Sequence, residues 1–351
     1  CEVSRILGEE SSSELQKTFS SCSTYEQYSE RKWMDLVIAH TNVEAYFVYP
    51  TVEQVMEITP SLVWFHDEPY QSQSAFLAYN LFQLARVNNV KVLLNGQGAD
   101  EYLGGYGQFT IARYTGMLKK LRLCDLLSDI KNTVGINNHT TAGIISGVVF
   151  NLIPDFAQRS LTRLRSTSDN VKRLVDIKKL NVMPLHPFDQ IPVPYRSVPE
   201  ISDHLTFYST LPKYLHWEDR NSMANSVEAR VPFLDHRLVE FASGLPDDFL
   251  EKDGINKRVM RAALKGLIPE GTRNRKDKMG FTTPEEMWVR KENPGIFKKK
   301  LEETVNVTNG IIKPEVLTYF DEVVSGKQKF DYTYWRLILF SEWIKKFEIR
   351  I

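Results

Sequence analysis

An apolar run, Val90 to Leu94, stands directly ahead of Asn95-Gly96-Gln97-Gly98-Ala99-Asp100-Glu101, the strongest local signal in the chain. The run suits a strand buried on both faces, the kind found inside a parallel sheet. Glycines at alternate positions let the backbone turn tightly and bring its N–H groups close to an anion, while Asp100 and Glu101 offer hard oxygen ligands for magnesium. In open α/β sheets, ligands gather at the carboxyl ends of strands, where this segment sits. An ordinary glycine-punctuated strand-to-loop turn carries the same letters, and on this segment alone that reading stays open.

The first hundred residues alternate short apolar runs with amphipathic stretches, the pattern of a parallel sheet with crossover helices. Thr18 to Cys22 and Ala45 to Tyr49 read as strands. Between them Trp33, Leu36, Val37 and His40 fall on one helical face, with Ser29 as an N-cap. A longer helix is expected over Ser74 to Val87, with Leu77, Leu81, Leu84 and Ala85 on one face. Beyond Tyr106 the strand signals fade. Helical periodicity runs through Ala112 to Leu127 and Asp155 to Leu180, and Pro184, Pro187, Pro192, Pro194 and Pro199 mark a connector. Trp335, Leu339, Trp343 and Phe347 form an apolar stripe over Tyr334 to Phe347. No repeat of fixed period is present. The fold expected is α/β, with a nucleotide-binding part over 1–106 and a mainly helical part over 107–351.

Bulk properties exclude several classes. Hydrophobic residues make up 42% of 351, enough for a substantial core. Lysine plus arginine equals aspartate plus glutamate at 44 each, so no net field gathers polyanions or anionic membranes, and nucleic acid is not expected as a partner. Cys1, Cys22 and Cys124 fit neither a disulfide framework nor a metal knuckle, which points to a reducing, cytoplasmic compartment. No apolar run reaches the roughly 18 to 20 residues that span a bilayer; Gly143 to Pro154 is too short. The chain opens on Cys1 inside an expected helix, Cys1 to Leu7, and this start reads as that of a fragment or a processed chain.

Three further constellations bear chemistry. Glu218 to Asp235 places Arg220, Ala224 and Glu228 at i, i+4 and i+8, a face that could orient a carboxylate or an ammonium, or simply a surface ion pair. Arg273 to Phe281 is a basic run ending in Met279-Gly280-Phe281, where Lys278 could neutralise charge developing on a phosphate, or lie in a solvated loop. Asp67-Glu68-Pro69 precedes the Ser74 helix and reads most simply as N-terminal capping. The seven histidines show no metal-ligand spacing.

Together, in order and spacing, these segments resemble the synthetase domain of the glutamine-hydrolysing asparagine synthetase family. Asn95 to Glu101 matches its Gly-rich loop, Glu218 to Asp235 follows its pattern throughout, and Lys278-Met279-Gly280-Phe281 is similar to its Lys-x-Gly-Phe element. The resemblance implies a sheet of the adenine nucleotide α-hydrolase-like (ATP pyrophosphatase) type and ATP-dependent amidation of aspartate through β-aspartyl-AMP, with ammonia derived from glutamine. By position it assigns Asn95, Gly96, Gln97, Gly98 and the backbone of Ser21 to ATP, Asp100 to magnesium and pyrophosphate, Lys278 to the transferring phosphate, and Glu228 to a buried acid near the acyl-adenylate. The family's glutaminase domain and its Ser-Gly-Gly-x-Asp-Ser-Ser pyrophosphate loop have no match here. A truncated synthetase domain is therefore expected, weak or inactive alone, with unpaired backbone where the missing strand would sit centrally in the sheet. A related amidotransferase or lactam-forming enzyme acting on another carboxylate, and a noncatalytic paralogue, are the alternatives.

Overall fold

The computed structural model describes residues 1–9, 15–136, 139–166, 173–180, 196–277, 280 and 283–350, with backbone alone for 162–166. Two expected strands form at their predicted places. β1 (Lys17–Ser21) lies parallel to β2 (Glu44–Val48), in the register Phe19↔Tyr46 and Ser21↔Val48. The crossover between them is α2 (Arg31–Thr41), preceded by the N-terminal helix α1 (Glu2–Glu9). Glu30, not Ser29, is the N-cap of α2, although Ser29 Oγ still accepts the Arg31 N–H at 3.3 Å. Helix α3 (Val52–His66) opens on a capping box in which Thr51 and Gln54 satisfy each other's backbone N–H groups.

Helix α4 (Ser74–Val87) has the limits expected of it, and β3 (Val92–Leu94) follows. The burial expected of β3 is not observed: Val92 is 41% and Leu94 51% exposed. Its partner explains this. β3 pairs in parallel with β4 (Glu228–Arg230), and no ladder among the described residues joins these two strands to β1 and β2. Helix α4 bridges the ladders instead, its Phe82 and Ala85 packing with Val227 among Phe19, Leu93 and Ala229. β4 lies far beyond Tyr106, so strand structure does not end where the sequence signals fade.

The rest is largely helical. α5 (Ala99–Tyr102) and α6 (Gly107–Lys119) lead into α7 (Leu123–Thr133), α8 (Thr141–Leu152) and α9 (Asp155–Ser166). α10 (Val198–Asp203) continues through a π turn into α11 (Thr210–Ala224), which β4 follows. Next come α12 (His236–Ser243), α13 (Asp247–Leu250) and the short antiparallel pair β5 (Glu251–Lys252) and β6 (Ile255–Asn256). α14 (Arg258–Ala263), α15 (Glu270–Arg273), α16 (Pro294–Val307), α17 (Glu315–Val324) and α18 (Thr333–Lys346) complete the order. The proline-rich connector falls mostly outside the described residues, as do 167–172 of the helix expected over Asp155 to Leu180; that helix does not reach Leu180, since Val175 makes an antiparallel bridge to Ile312 and 177–180 form a turn. No helix among the described residues is long and apolar enough to cross a membrane.

The main core sets α3 and α4 against the last three helices, with Phe297, Phe320, Tyr334 and Trp335 meeting edge to face or tilted. The predicted stripe on α18 is real: Trp335 and Leu339 are buried, and Trp343 donates its indole N–H to the carbonyl of Asp67 at 3.1 Å. A second cluster, including Tyr102, Leu103, Phe109, Ile201 and Leu250, seats the segment after β3.

Candidate functional site

The backbone of the turn after β3 is fixed by glycines used for two different reasons. Asn95 N–H donates to Arg230 C=O at 2.8 Å, holding the loop's start to β4. Gly98 has φ of +97°, and a Cβ there would lie 2.2 Å from Leu234 Cδ2. A Cβ on Gly105 would lie 1.9 Å from Asp100 Oδ1, so Gly105 is what lets the chain close over that carboxylate. The two acids then part company. Glu101 is 1% exposed and accepts the Tyr106 hydroxyl at 2.7 Å, an internal fastening. Burial and that carboxylate push the Tyr106 phenol far up. Asp100 is partly exposed and pairs with Lys257 Nζ at 2.6 Å.

The family resemblance matched Glu228 to a buried acid, but the structure leaves it exposed. Helix α11 ends at Ala224, Ser226 takes a positive φ of 54°, and Glu228 stands on β4, exposed and bonded to Arg230 at 2.6 Å. The i, i+4, i+8 face therefore stops before its third member. Arg220 makes a surface pair with Asp67 at 2.8 Å. Asp67 does not cap α4; it closes the carboxyl end of α3 in the left-handed region, and Ser72 Oγ takes the Ser74 N–H. The buried acid of this run is Glu218, ten residues earlier and 5% exposed. Its carboxylate accepts Asn95 Nδ2 at 2.5 Å, and burial pushes its pKa above the usual range despite that bond. Residue types did not separate the two acids; only the place where the helix ends does.

Two cavities adjoin this loop and the strand ends. The first, about 310 Å³, is lined at the carboxyl ends of β1 and β2 by Ser21, Cys22, Thr24, Tyr49 and Thr51, with Glu30 and Trp288 closing it. Gly280 also reaches it, whereas Lys278 lies outside the described residues. The second, about 290 Å³, carries Asp100, Lys257, Arg261, Arg273 and Arg275. Arg275 spans from one to the other by bonding Glu30 at 2.5 Å. Thus Ser21 opens on one cavity and Asp100 on the other, and Asn95 holds the buried acid.

Among the described residues no group of three or more acids, histidines or cysteines could cage a metal ion. Asp100 and Asp277 offer carboxylates at the cationic cavity, Asp277 being paired with Arg275 at 3.1 Å. That donor set does not suit an all-protein calcium site, but it does suit magnesium, which keeps several waters and is held by one or two carboxylates plus substrate phosphates.

Known proteins share this chain's sequence pattern. The family model described as asparagine synthase matches residues 3–345. Asparagine synthetase [glutamine-hydrolyzing] 1 of Bacillus subtilis (strain 168) is 25% identical over 93% of this chain and 51% of its own length. Asparagine synthetase [glutamine-hydrolyzing] 2 of the same organism is 31% identical over 58% of this chain and 23% of its own. Amidase chyE of Penicillium rubens is 22% identical over 70% and 39%. The chain spans about half the length of the first of these curated relatives and less of the other two.

Proposed function

We propose that this chain, which belongs to the asparagine synthase family, is the synthetase part of an enzyme that amidates aspartate at the expense of ATP. The supporting observation is the pair of adjoining cavities, one lined by hydroxyls and aromatic rings and the other by cations around Asp100. A nucleotide needs both. Its base fits the first cavity against Ser21, and its phosphates fit the second, where Lys257, Arg261 and Arg275 supply positive charge. The parallel ladders with their ligand loop at the carboxyl ends are read as the adenine nucleotide α-hydrolase-like sheet.

In the proposed reaction the β-carboxylate of aspartate attacks the α-phosphorus of ATP, pyrophosphate leaves, and ammonia then displaces AMP. Asn95, Gly96, Gln97 and Gly98 form the turn beside the nucleotide. Asp100 would hold magnesium together with phosphate oxygens, and the ion would neutralise charge on the departing pyrophosphate. Lys257, which the sequence reading missed, sits against that same carboxylate and adds a second positive charge. Lys278 keeps its proposed role of stabilising charge on the transferring phosphate. For the ammonia step the proton acceptor is assigned to Glu218, because a buried carboxylate with a raised pKa takes a proton readily and Asn95 holds it beside the loop. Glu228, exposed and ion-paired, is given no chemical role. Ammonia from glutamine, by way of a glutaminase domain in the full-length protein, belongs to the same proposal.

Aspartate-dependent exchange of labelled pyrophosphate into ATP by the full-length protein, followed by asparagine formation with ammonium salts, tests this reading. Exchange with a different carboxylate in a substrate panel would move the assignment to a related amidotransferase or lactam-forming enzyme. No exchange with any carboxylate would leave a noncatalytic paralogue.

A further inference from the structure

The Glu30–Arg275 pair stands between the two cavities: Glu30 lines the first, Arg275 lines the second, and Arg275 Nη1 donates to Glu30 Oε1 at 2.5 Å. A nucleotide filling both has to pass its sugar over this pair, since ribose is the link between base and phosphates. We infer that Glu30 reads the ribose hydroxyls and makes the site selective for ribonucleotides over deoxyribonucleotides; this rests on the nucleotide reading above.

Arg275 occupies one oxygen of the carboxylate, and no bond from a described residue engages the other, Oε2. A carboxylate oxygen accepts hydroxyl hydrogen bonds well, and an acid on the ribose hydroxyl is the recurring device of dinucleotide-binding folds. Glu30 is also held in place before any ligand arrives. Arg261 Nη1 donates to the carbonyls of Arg273 and Arg275 at 2.5 and 2.7 Å, fixing the backbone that carries the guanidinium. The guanidinium itself lies 5.0 Å over the Trp33 ring and bonds Asp277 at 3.1 Å. An acceptor fixed in this way loses little freedom on binding, which favours selectivity. The other acid on the cavity wall, Glu292, already accepts the Tyr25 hydroxyl at 2.6 Å. A purely structural salt bridge at Glu30 would hold α2 to the segment after α15 and leave sugar choice untouched.

The test is calorimetric titration of the full-length protein with ATP, 2′-deoxy-ATP and 3′-deoxy-ATP. The native protein is expected to bind ATP about tenfold or more tightly than at least one deoxynucleotide, the factor expected for a lost hydrogen bond to a charged group. Glu30→Gln is expected to bring the ratio to within about twofold, with ATP falling to the level of that deoxynucleotide. Arg275→Lys keeps the charge but loses the fork that fixes Glu30, and is expected to give an intermediate ratio. A ratio unchanged in Glu30→Gln, or equal binding of all three nucleotides by the native protein, overturns the inference. The second result decides the matter even if the variants do not fold. Failure of the native protein to bind ATP at all would overturn the nucleotide reading as well, whereas ATP binding without sugar discrimination overturns this inference alone.

Discussion

Gly98 meets two demands at once, each of which excludes a Cβ. Its φ of +97° is a backbone region L residues avoid, and Leu234 fills the space where a Cβ would go. Gly98→Ala is therefore expected to lower stability by roughly 2 to 4 kcal/mol, combining backbone strain with overpacking. Urea titration measures it, and an unfolding midpoint equal to that of the native protein would show that the loop relaxes freely. Glu218 belongs to the same scale. Glu218→Gln keeps an acceptor for Asn95 Nδ2 but no longer takes a proton, so pyrophosphate exchange is expected to persist while asparagine formation falls by about a hundredfold or more. Equal loss of both rates would reduce Glu218 to a positioning role. That a tight turn follows β3 was legible in the sequence, because glycines at alternate positions mark one; whether it serves a ligand was not legible from those letters alone. The choice between Glu218 and Glu228 was not legible. Both sit in one polar run, and their burial depends on a helix that stops at Ala224 for reasons of tertiary packing.

Among the elements, α4 was readable to its limits because apolar residues recur along it at helical spacing and a strand follows. β4 was invisible: three residues, two of them charged, carry no alternation, and only pairing with β3 makes them a strand. β3 looked doubly buried because its residues are apolar, yet exposure depends on neighbours, and β4 is its only ladder partner among the described residues. A similar non-local device ties together α6, α7 and α13. Arg113 on α6 is 2% exposed and bonds Asp129 of α7, while reaching Asp248 of α13 at 2.9 Å and Glu251 at 3.7 Å. Arg113→Ala leaves the buried Asp129 and Glu251 without their counter-charge, while Asp248 keeps Lys252 at 3.6 Å and Arg122 at 3.9 Å, and a loss of about 3 to 5 kcal/mol is expected. Arg113→Lys is expected to recover only part of it, because an ammonium cannot fork between two helices. Denaturant midpoints of the two variants decide the point; equal stability of Arg113→Ala and the native protein would show that the acids do not depend on the arginine.

For the molecule as a whole, the balance of 44 basic and 44 acidic residues leaves little net charge near neutrality, so a few buried groups dominate the pH dependence of stability. Burial pushes Glu251 and Glu285 up to about 7 from 4.5, Glu251 doing so despite Arg113, and Glu285 despite the Thr283 hydroxyl at 2.9 Å. Burial pulls His66 down to about 4 from 6.5, against its bond to Asn221 at 3.1 Å. The two effects have opposite signs. Where an acid has a raised folded pKa, the native state binds more protons than the unfolded chain, so both glutamates stabilise the fold below about pH 4.5 and that contribution is lost as the pH rises to about 7. For His66 the unfolded chain binds more protons, so its contribution is present above about 6.5 and is lost as the pH falls to about 4. These two large shifts against one leave a net preference for mild acid, with Glu218 and Asp247 raised and His139 and His204 lowered by burial beside them. Unfolding free energy is expected to fall by on the order of 3 kcal/mol between pH 5 and 7.5, most steeply around pH 6 to 6.5, where both folded glutamates are still largely protonated and the compensation from His66 is fading. Depressed carboxylates such as Asp235, held down by Arg237, titrate below this window and do not mask it. Glu285→Gln is expected to halve the net fall or more, and His66→Gln to steepen it below pH 6.5. A profile that rises from pH 5 to 7.5 would mean that both glutamates are ionised in the folded protein, with water or a bound cation reaching side chains that now lie in its core.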